Sequence, residues 1–171
     1  TLANNLNSFS GNLNINAGTV IANTFNNQTT TSTLGAKTGG RTISVAAGAT
    51  LSFTINNIFG GSGQNAANLP TVQVNGTLTT TRFNVLPNLV FNGGLLRNSN
   101  ASDPANYDGF QFIGNITTGG AAASTFDTTT GRGSHLANGS TTFNVANATG
   151  NANPDLLVRT VLRNPSDDYG G

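Results

Sequence analysis

Short segments of alternating polarity, separated by glycines, are the feature that most constrains the fold of this chain. Apolar and polar residues alternate over 12–21, 42–55, 71–82, 110–116 and 141–146. A period of two places one face of a β-strand on a core and the other in water. The sequence therefore predicts an all-β chain with these side chains pointing inward: Leu13, Ile15, Ile43, Val45, Phe53, Val72, Val74, Phe143 and Val161.

A short unit recurs where these segments meet. In each copy an aliphatic strand end meets a small residue or Asn and then Gly, and a new aliphatic strand follows. The glycines at 18, 48, 76 and 93 mark four copies, separated by 30, 28 and 17 positions. Glycine supplies the backbone freedom that a tight corner needs. This spacing is close to the length of one coil of a β-solenoid, about 20–30 residues.

Two architectures can use these corners. Asn75-Gly76 and Asn92-Gly93 are signals for antiparallel hairpins, which would give a β-sandwich or barrel. In a parallel β-helix the same corners join one face of a coil to the next. Abundant Asn, which can form amide ladders between parallel strands, favours the β-helix, and so do sparse aromatics and variable loop lengths. The fold class predicted is a parallel β-helix, with the β-sandwich as the alternative.

The opening residues carry a resemblance to a known family. The segment 1–20 contains Asn7, Phe9, Gly11, Ala17 and Gly18 in an order that resembles the autotransporter-associated β-strand repeat. The remainder of the chain is similar to the secreted passenger segments of autotransporters only in its general composition and pattern. The resemblance implies a right-handed β-helix segment of a very large secreted or surface protein, and it implies no activity and no catalytic residues.

Composition excludes several other classes. The chain has 171 residues, no Cys, no Glu, one Lys and a net charge of +1. A disulfide framework and a Cys-based zinc site are therefore impossible, and a nucleic-acid surface has almost no electrostatic basis. No stretch reaches the ~18 consecutive apolar residues of a membrane helix. We expect no membrane insertion by this segment.

Few residues are candidates for chemistry. Asp103, Asn106 and Asp108 place three oxygen donors in six positions, a weak indication of calcium, since the spacing is not that of an EF-hand. Asp167 and Asp168 are adjacent, so a strand would point them to opposite faces and away from general acid-base work. His135 is expected at the surface. The sequence thus predicts no enzyme, no catalytic residues and no cofactor other than that possible calcium.

The ends of the chain predict how it is used. Residues 1–13 are uncharged and contain no proline, and the apolar segment 156–162 is followed by turn residues instead of a cap. Open solenoid edges of this kind recruit further strands. We therefore expect residues 1–171 to be one solenoid segment that continues head-to-tail into copies of itself, covalently or not. The predicted function is structural, in a secreted or cell-surface fibre, stalk or layer. The alternative is an adhesin passenger module that binds a host or environmental surface.

Overall fold

The computed structural model describes residues 1–61, 63–99, 109–129, 133–136 and 141–164. These residues form eighteen short strands and one 3₁₀ helix, Ala66–Asn68. In chain order the strands are β1 (Leu13–Ile15), β2 (Thr19–Ala22), β3 (Thr31–Ser32), β4 (Gly35–Ala36), β5 (Thr42–Val45), β6 (Thr50–Phe53), β7 (Thr71–Val74), β8 (Thr77–Thr80), β9 (Asn84–Leu86), β10 (Leu89–Phe91), β11 (Leu95–Asn98), β12 (Phe110–Phe112), β13 (Ile116–Thr118), β14 (Ser124–Thr128), β15 (Ser134–Leu136), β16 (Phe143–Val145), β17 (Leu156–Arg159) and β18 (Leu162–Arg163).

Sixteen of these strands stack in three parallel sheets. Sheet I has the order β1-β5-β7-β10-β13-β16, sheet II the order β2-β6-β8-β11-β14-β17, and sheet III the order β9-β12-β15-β18. Consecutive strands of each coil belong to different sheets, and each strand pairs with its counterpart in the next coil. The chain is therefore a parallel β-solenoid of about five turns. The predicted parallel β-helix is confirmed, and the β-sandwich alternative is wrong.

Apolar columns run along the solenoid axis and form its core. Strand pairing aligns inward side chains from successive coils, so that each column fills one side of the interior. Three buried columns have four members each: Ile15, Val45, Val74 and Phe91 in sheet I, Ile43, Val72, Leu89 and Ile116 in the same sheet, and Leu51, Leu78, Leu96 and Phe126 in sheet II. Phe112 of sheet III meets Phe126 edge to face, with ring centroids 5.1 Å apart. The three sheets thus share one core.

Most of the inward side chains predicted from the alternation are confirmed. Six are buried and two, Leu13 and Phe143, are partly buried against the core. The buried ones are Ile15, Ile43, Val45, Phe53, Val72 and Val74. Val161 is wrong, because its neighbour Leu162, and not Val161, is the side chain that packs against the core. The apolar run 156–162 is not one strand but two, and Val161 lies at the corner between β17 and β18.

The Asn-Gly pairs form corners of the coil rather than hairpins. Asn75-Gly76 joins β7 to β8, and Asn92-Gly93 leads from β10 towards β11. A Cβ on Gly76 would lie 2.2 Å from the carbonyl oxygen of Ala46 in the preceding coil. Only glycine lets the corners of neighbouring coils approach this closely. The partial Asn ladder is also present, since the Asn92 Nδ2 donates to the Asn75 Oδ1 at 3.3 Å.

The shortest coil reveals the basic unit, and insertions lengthen the others. The register partners Val72 and Leu89 are 17 positions apart, and this coil has a strand in all three sheets. In the first two coils sheet III has no strand, and its place in the chain is taken by loop A (23–41) and loop B (54–70). Loop A contains the antiparallel pair β3 and β4. The candidate site lies between these two loops.

Candidate functional site: a polar cavity between two loops

A polar cavity of about 370 Å³ opens between loop A and loop B. All of its described lining residues are polar or glycine: Asn26, Asn27, Gln28, Thr29, Lys37, Gly60, Gly61 and Gln64. The volume falls within the range of small-ligand sites, about 300–1,000 Å³. The cavity differs from most such sites because none of its described lining residues is apolar.

Asn26 joins the two loops and fixes the floor of the cavity. Its side chain is only 2% exposed. The Asn26 Nδ2 donates to the carbonyl oxygens of Thr31 in loop A, at 3.0 Å, and of Ile58 in loop B, at 3.1 Å. The Asn26 Oδ1 accepts from the backbone N–H of Gln28 at 2.8 Å. A buried amide with these bonds made holds its surroundings in one arrangement, because breaking any of them leaves a buried polar group unpaired.

Lys37 supplies the cationic group among the described lining residues. It is also the single lysine of the chain. Its Nζ donates to the carbonyl oxygen of Gln28 across loop A, and its backbone N–H donates to the Thr30 carbonyl at 2.8 Å. Partial burial lowers the pKa of Lys37, because desolvation disfavours the ammonium form. The described lining contains no carboxylate to offset that cost.

Gly60 makes room for two of the polar side chains. Its φ is +100°, a conformation that L residues rarely adopt. A Cβ built on Gly60 would lie 2.9 Å from the Gln64 Nε2 and 3.0 Å from the Lys37 Nζ. The amide of Gln64 and the ammonium of Lys37 therefore approach the same backbone position from the two loops.

Arg41 holds the base of loop A. Its side chain is buried, and its Nη1 donates to the carbonyl oxygens of Leu34 and Ala36 at 3.0 and 2.9 Å. Its Nε donates to the Gly11 carbonyl at 2.9 Å, and the guanidinium lies 5.1 Å from the centre of the Phe9 ring. Burial lowers the pKa of Arg41. These contacts tie the segment before Lys37 to the solenoid, so the cavity has a fixed wall.

This arrangement can bind a hydrogen-bonding ligand. Carboxamides and the Thr29 hydroxyl both donate and accept hydrogen bonds, and Lys37 donates only. The described lining has no carboxylate, imidazole or thiol that could shuttle a proton. We therefore treat it as a candidate binding site.

The residues singled out from the sequence fall elsewhere. The calcium candidates Asp103, Asn106 and Asp108 lie outside the described residues, and so do Asp167 and Asp168. Within the described ranges no group of three or more His, Cys, Asp or Glu could hold a metal ion. No helix in that part of the chain is long and apolar enough to cross a membrane.

His135 departs from its expected surface position. Its side chain is 4% exposed in β15, where it pairs in register with Gln111 of β12. Phe112 points into the core, so its neighbour Gln111 and the register partner His135 lie on the outer face of sheet III. That outer face is buried at His135, which a strand pattern alone does not reveal. The ring of Phe83 lies 6.5 Å from the imidazole, centroid to centroid.

Sequence reasoning marked both loops but missed the cavity between them. Residues 26–40 and 59–70 read as solvent-facing excursions, and nothing in their composition shows that they meet. One signal was available, since Lys37 is the chain's lone lysine and the only charged residue between positions 26 and 40. No family model, no curated protein and no solved structure matches this chain. The resemblance of residues 1–20 to the autotransporter-associated repeat therefore stays a hypothesis.

Proposed function

We propose that this chain is a structural segment of a larger repetitive β-solenoid, secreted or at a cell surface, that builds a fibre, stalk or surface layer. The observation that carries the proposal is the state of the last coil. Val145 continues the buried sheet I column of Val74 and Phe91, yet it is 50% exposed. Val158 continues the sheet II column through Phe126 and is 37% exposed.

These two valines face inward in a coil that has a neighbour on one side only among the described residues. The strands β16, β17 and β18 each end their sheets, so half of their backbone groups have no ladder partner in the described part of the chain. Such an edge is a template for a further strand. Another solenoid coil stacked here would bury both valines and extend all three ladders.

The opposite end also presents apolar surface. Leu2 forms a single parallel bridge with Ala22 and covers part of the β2 edge. Beyond it Leu6, Phe9 and Phe25 remain exposed. Apolar surface at both ends suits head-to-tail stacking, either of copies of this chain or of consecutive segments of one polypeptide. With six stacked strands in sheets I and II and about 4.8 Å per strand, each unit would add about 29 Å.

The composition of the chain supports both a secreted or cell-surface location and a role without catalysis. A chain without cysteine needs no disulfide chemistry during export, and a polar surface with few charges lets identical units pack without repulsion. An ion pair joins Arg97 and Asp127 at 3.5 Å on the outer face of sheet II. We propose no catalytic role and no cofactor for this segment.

Sedimentation of the chain tests the stacking. We expect its mean mass to rise with concentration. The double variant Val145→Lys, Val158→Lys should remain monomeric, because charges in an apolar interface are costly to bury. The matched control is Asn144→Lys, which adds a charge on the outer face of the same strand and should associate as the parent does. Circular dichroism checks that each variant is folded.

Negative-stain microscopy of the native protein tests continuation within one polypeptide. Rods longer than one unit support the proposal. Compact particles in native material, together with a chain that stays monomeric at high concentration, would contradict it. Equal association of the double variant and the parent would show that the last coil is not the contact.

A second candidate function is an adhesin module that binds a host or environmental surface. The polar cavity between loops A and B favours it, because a purely structural segment has no need of a preformed cavity. The two functions are compatible, since stacking uses the ends of the solenoid and the cavity lies on its side.

A further inference from the structure

The cavity between loop A and loop B is lined by side chains that form hydrogen bonds. Its described lining residues supply carboxamides, one threonine hydroxyl and one ammonium group, and none of them has an apolar side chain. A ligand that pairs with these groups needs several hydroxyl or other polar groups. Sugars meet that requirement, because vicinal hydroxyls pair with the donor and acceptor of a single carboxamide.

The charge of the ligand follows from Lys37. Its Nζ has one identified acceptor, the Gln28 carbonyl, and an ammonium group carries three donors. The described lining holds no negative side chain that would balance the charge. A single cation matches a monoanion such as a carboxylate better than a dianionic phosphate. A charge-assisted hydrogen bond to a carboxylate would use one of the remaining donors.

The site is built before any ligand arrives. Asn26 ties the two loops together at the floor, Arg41 fixes the base of loop A, and Gly60 leaves the space that Lys37 and Gln64 approach. Preorganisation lowers the entropic cost of binding. We propose that this cavity binds a carboxylated monosaccharide or the carboxylated end of a glycan, with Lys37 on the carboxylate and the Gln64 amide and the Gln28 Oε1 on the hydroxyls. The Gln28 Nε2 donates to the Asn27 Oδ1 at 2.8 Å, which orients the Gln28 amide. The proposal holds whether or not the units stack end to end.

The single lysine makes the test direct. Protein labelled with ¹⁵N and ¹³C only at lysine gives a single Nζ signal, that of Lys37. Three probes share one sugar ring and differ at C6: glucose, glucuronate and glucose 6-phosphate. We expect glucuronate to shift the Lys37 signal saturably, with at least tenfold tighter binding than glucose or glucose 6-phosphate.

Variants connect that binding to the cavity. Lys37→Gln keeps a polar side chain of similar length and should weaken glucuronate binding at least tenfold, as followed through the Gln64 side-chain amide. The matched control, Arg97→Gln, removes one positive charge on sheet II and should bind as the parent does. The proposal is supported if Lys37→Gln binds glucuronate more weakly while its NMR spectrum remains that of a folded protein.

Three results would overturn it. One is the absence of any saturable shift with 50 mM glucuronate. Another is equal binding of glucose and glucuronate, which would remove the role of the carboxylate. The third is equal weakening by Arg97→Gln and Lys37→Gln, which would mean that only the overall charge of the chain matters.

Discussion

At the scale of single residues, Phe53 shows how the inner columns are filled. It ends β6, is fully buried, and stands edge-on to Phe59 of loop B with ring centroids 6.0 Å apart. Phe53 therefore contributes to the core of the solenoid and also fastens loop B to it. Losing this ring would leave a cavity that rigid strands cannot collapse into.

We expect Phe53→Ala to lower the free energy of unfolding by about 3–5 kcal/mol, the cost of removing a buried phenylalanine ring. Urea unfolding followed by circular dichroism measures it. Ser52→Ala is the matched control, because the neighbouring side chain points to the opposite face of β6 and its loss should change stability by about 0.5 kcal/mol or less. A loss of less than about 1 kcal/mol for Phe53→Ala would contradict the assignment, because Phe53 would then face solvent and the strand register would be shifted by one residue.

Gly76→Ala should destabilise the chain although the backbone angles at this position are accessible to alanine. The added Cβ would meet the carbonyl oxygens of Ala46 and Ala49 at 2.2 and 2.4 Å, so the corner must move away from the coil beneath it. We expect a loss of about 1–3 kcal/mol, typical of overpacking. Gly61→Ala, where a Cβ meets nothing within 4 Å, should be close to neutral in the same unfolding measurement.

The sequence predicts whether a side chain faces the core only where the alternation of apolar and polar residues along one strand decides it. Ile43, Val45 and Val72 were predicted correctly, because alternation alone determines the face of a strand. The burial of His135 was not predictable in this way, because it depends on what covers the outer face of sheet III. Lys37 and Gln64 could not be joined either, since only the stacking of two coils brings loops A and B together.

At the scale of elements, the boundary between β17 and β18 shows that a continuous apolar segment does not reveal where one strand ends and the next begins. Residues 156–162 are apolar at nearly every position, and the corner at Thr160 and Val161 contains no glycine or proline to mark it. The pairing in the structure decides the matter, because the Ser134 N–H donates to the Val161 carbonyl at 2.8 Å while β17 pairs with β14. Corners with Asn-Gly or Gly were predicted, and corners without them were not.

The loop before β17 gives a pH-dependent prediction. The backbone N–H of Thr149 donates to the Asp155 Oδ1 at 2.7 Å, and this bond lowers the pKa of Asp155 below its ordinary 3.8. A carboxylate with a lowered pKa stabilises the fold above its unfolded value and loses that effect as the pH falls through its folded value. The loop 147–155 should therefore loosen below pH 3.8.

The Thr149 amide signal reports this change directly. We expect it to move as the pH is lowered from 5 to 2, with a midpoint below 3.8. In Asp155→Asn the same signal should show no such titration. A midpoint above 3.8 in the parent chain would contradict the stabilising bond.

At the scale of the whole molecule, the ends of the solenoid predict how association responds to salt. The stacking surfaces consist of backbone ladder groups and apolar side chains such as Val145 and Val158. Salt screens exposed charges within about 8–10 Å at 0.10–0.15 M but acts weakly on such contacts. Sedimentation at 20 mM and 500 mM NaCl should give the same association constant within about a factor of three. A tenfold weakening at high salt would instead indicate contacts between charged groups.

The 17-residue coil has a consequence for how such chains can change length. A solenoid keeps its strand register only when residues are gained or lost as complete coils. Residues 72–88 form one complete coil without a loop insertion. Excising it would join Thr71 to Leu89 and let Phe91 take the place that Val74 has above Val45. Removing eight residues from the same stretch would advance the chain by half a turn and point core side chains into water. Natural variants of this protein should therefore differ in length by complete turns, or by insertions confined to the corners.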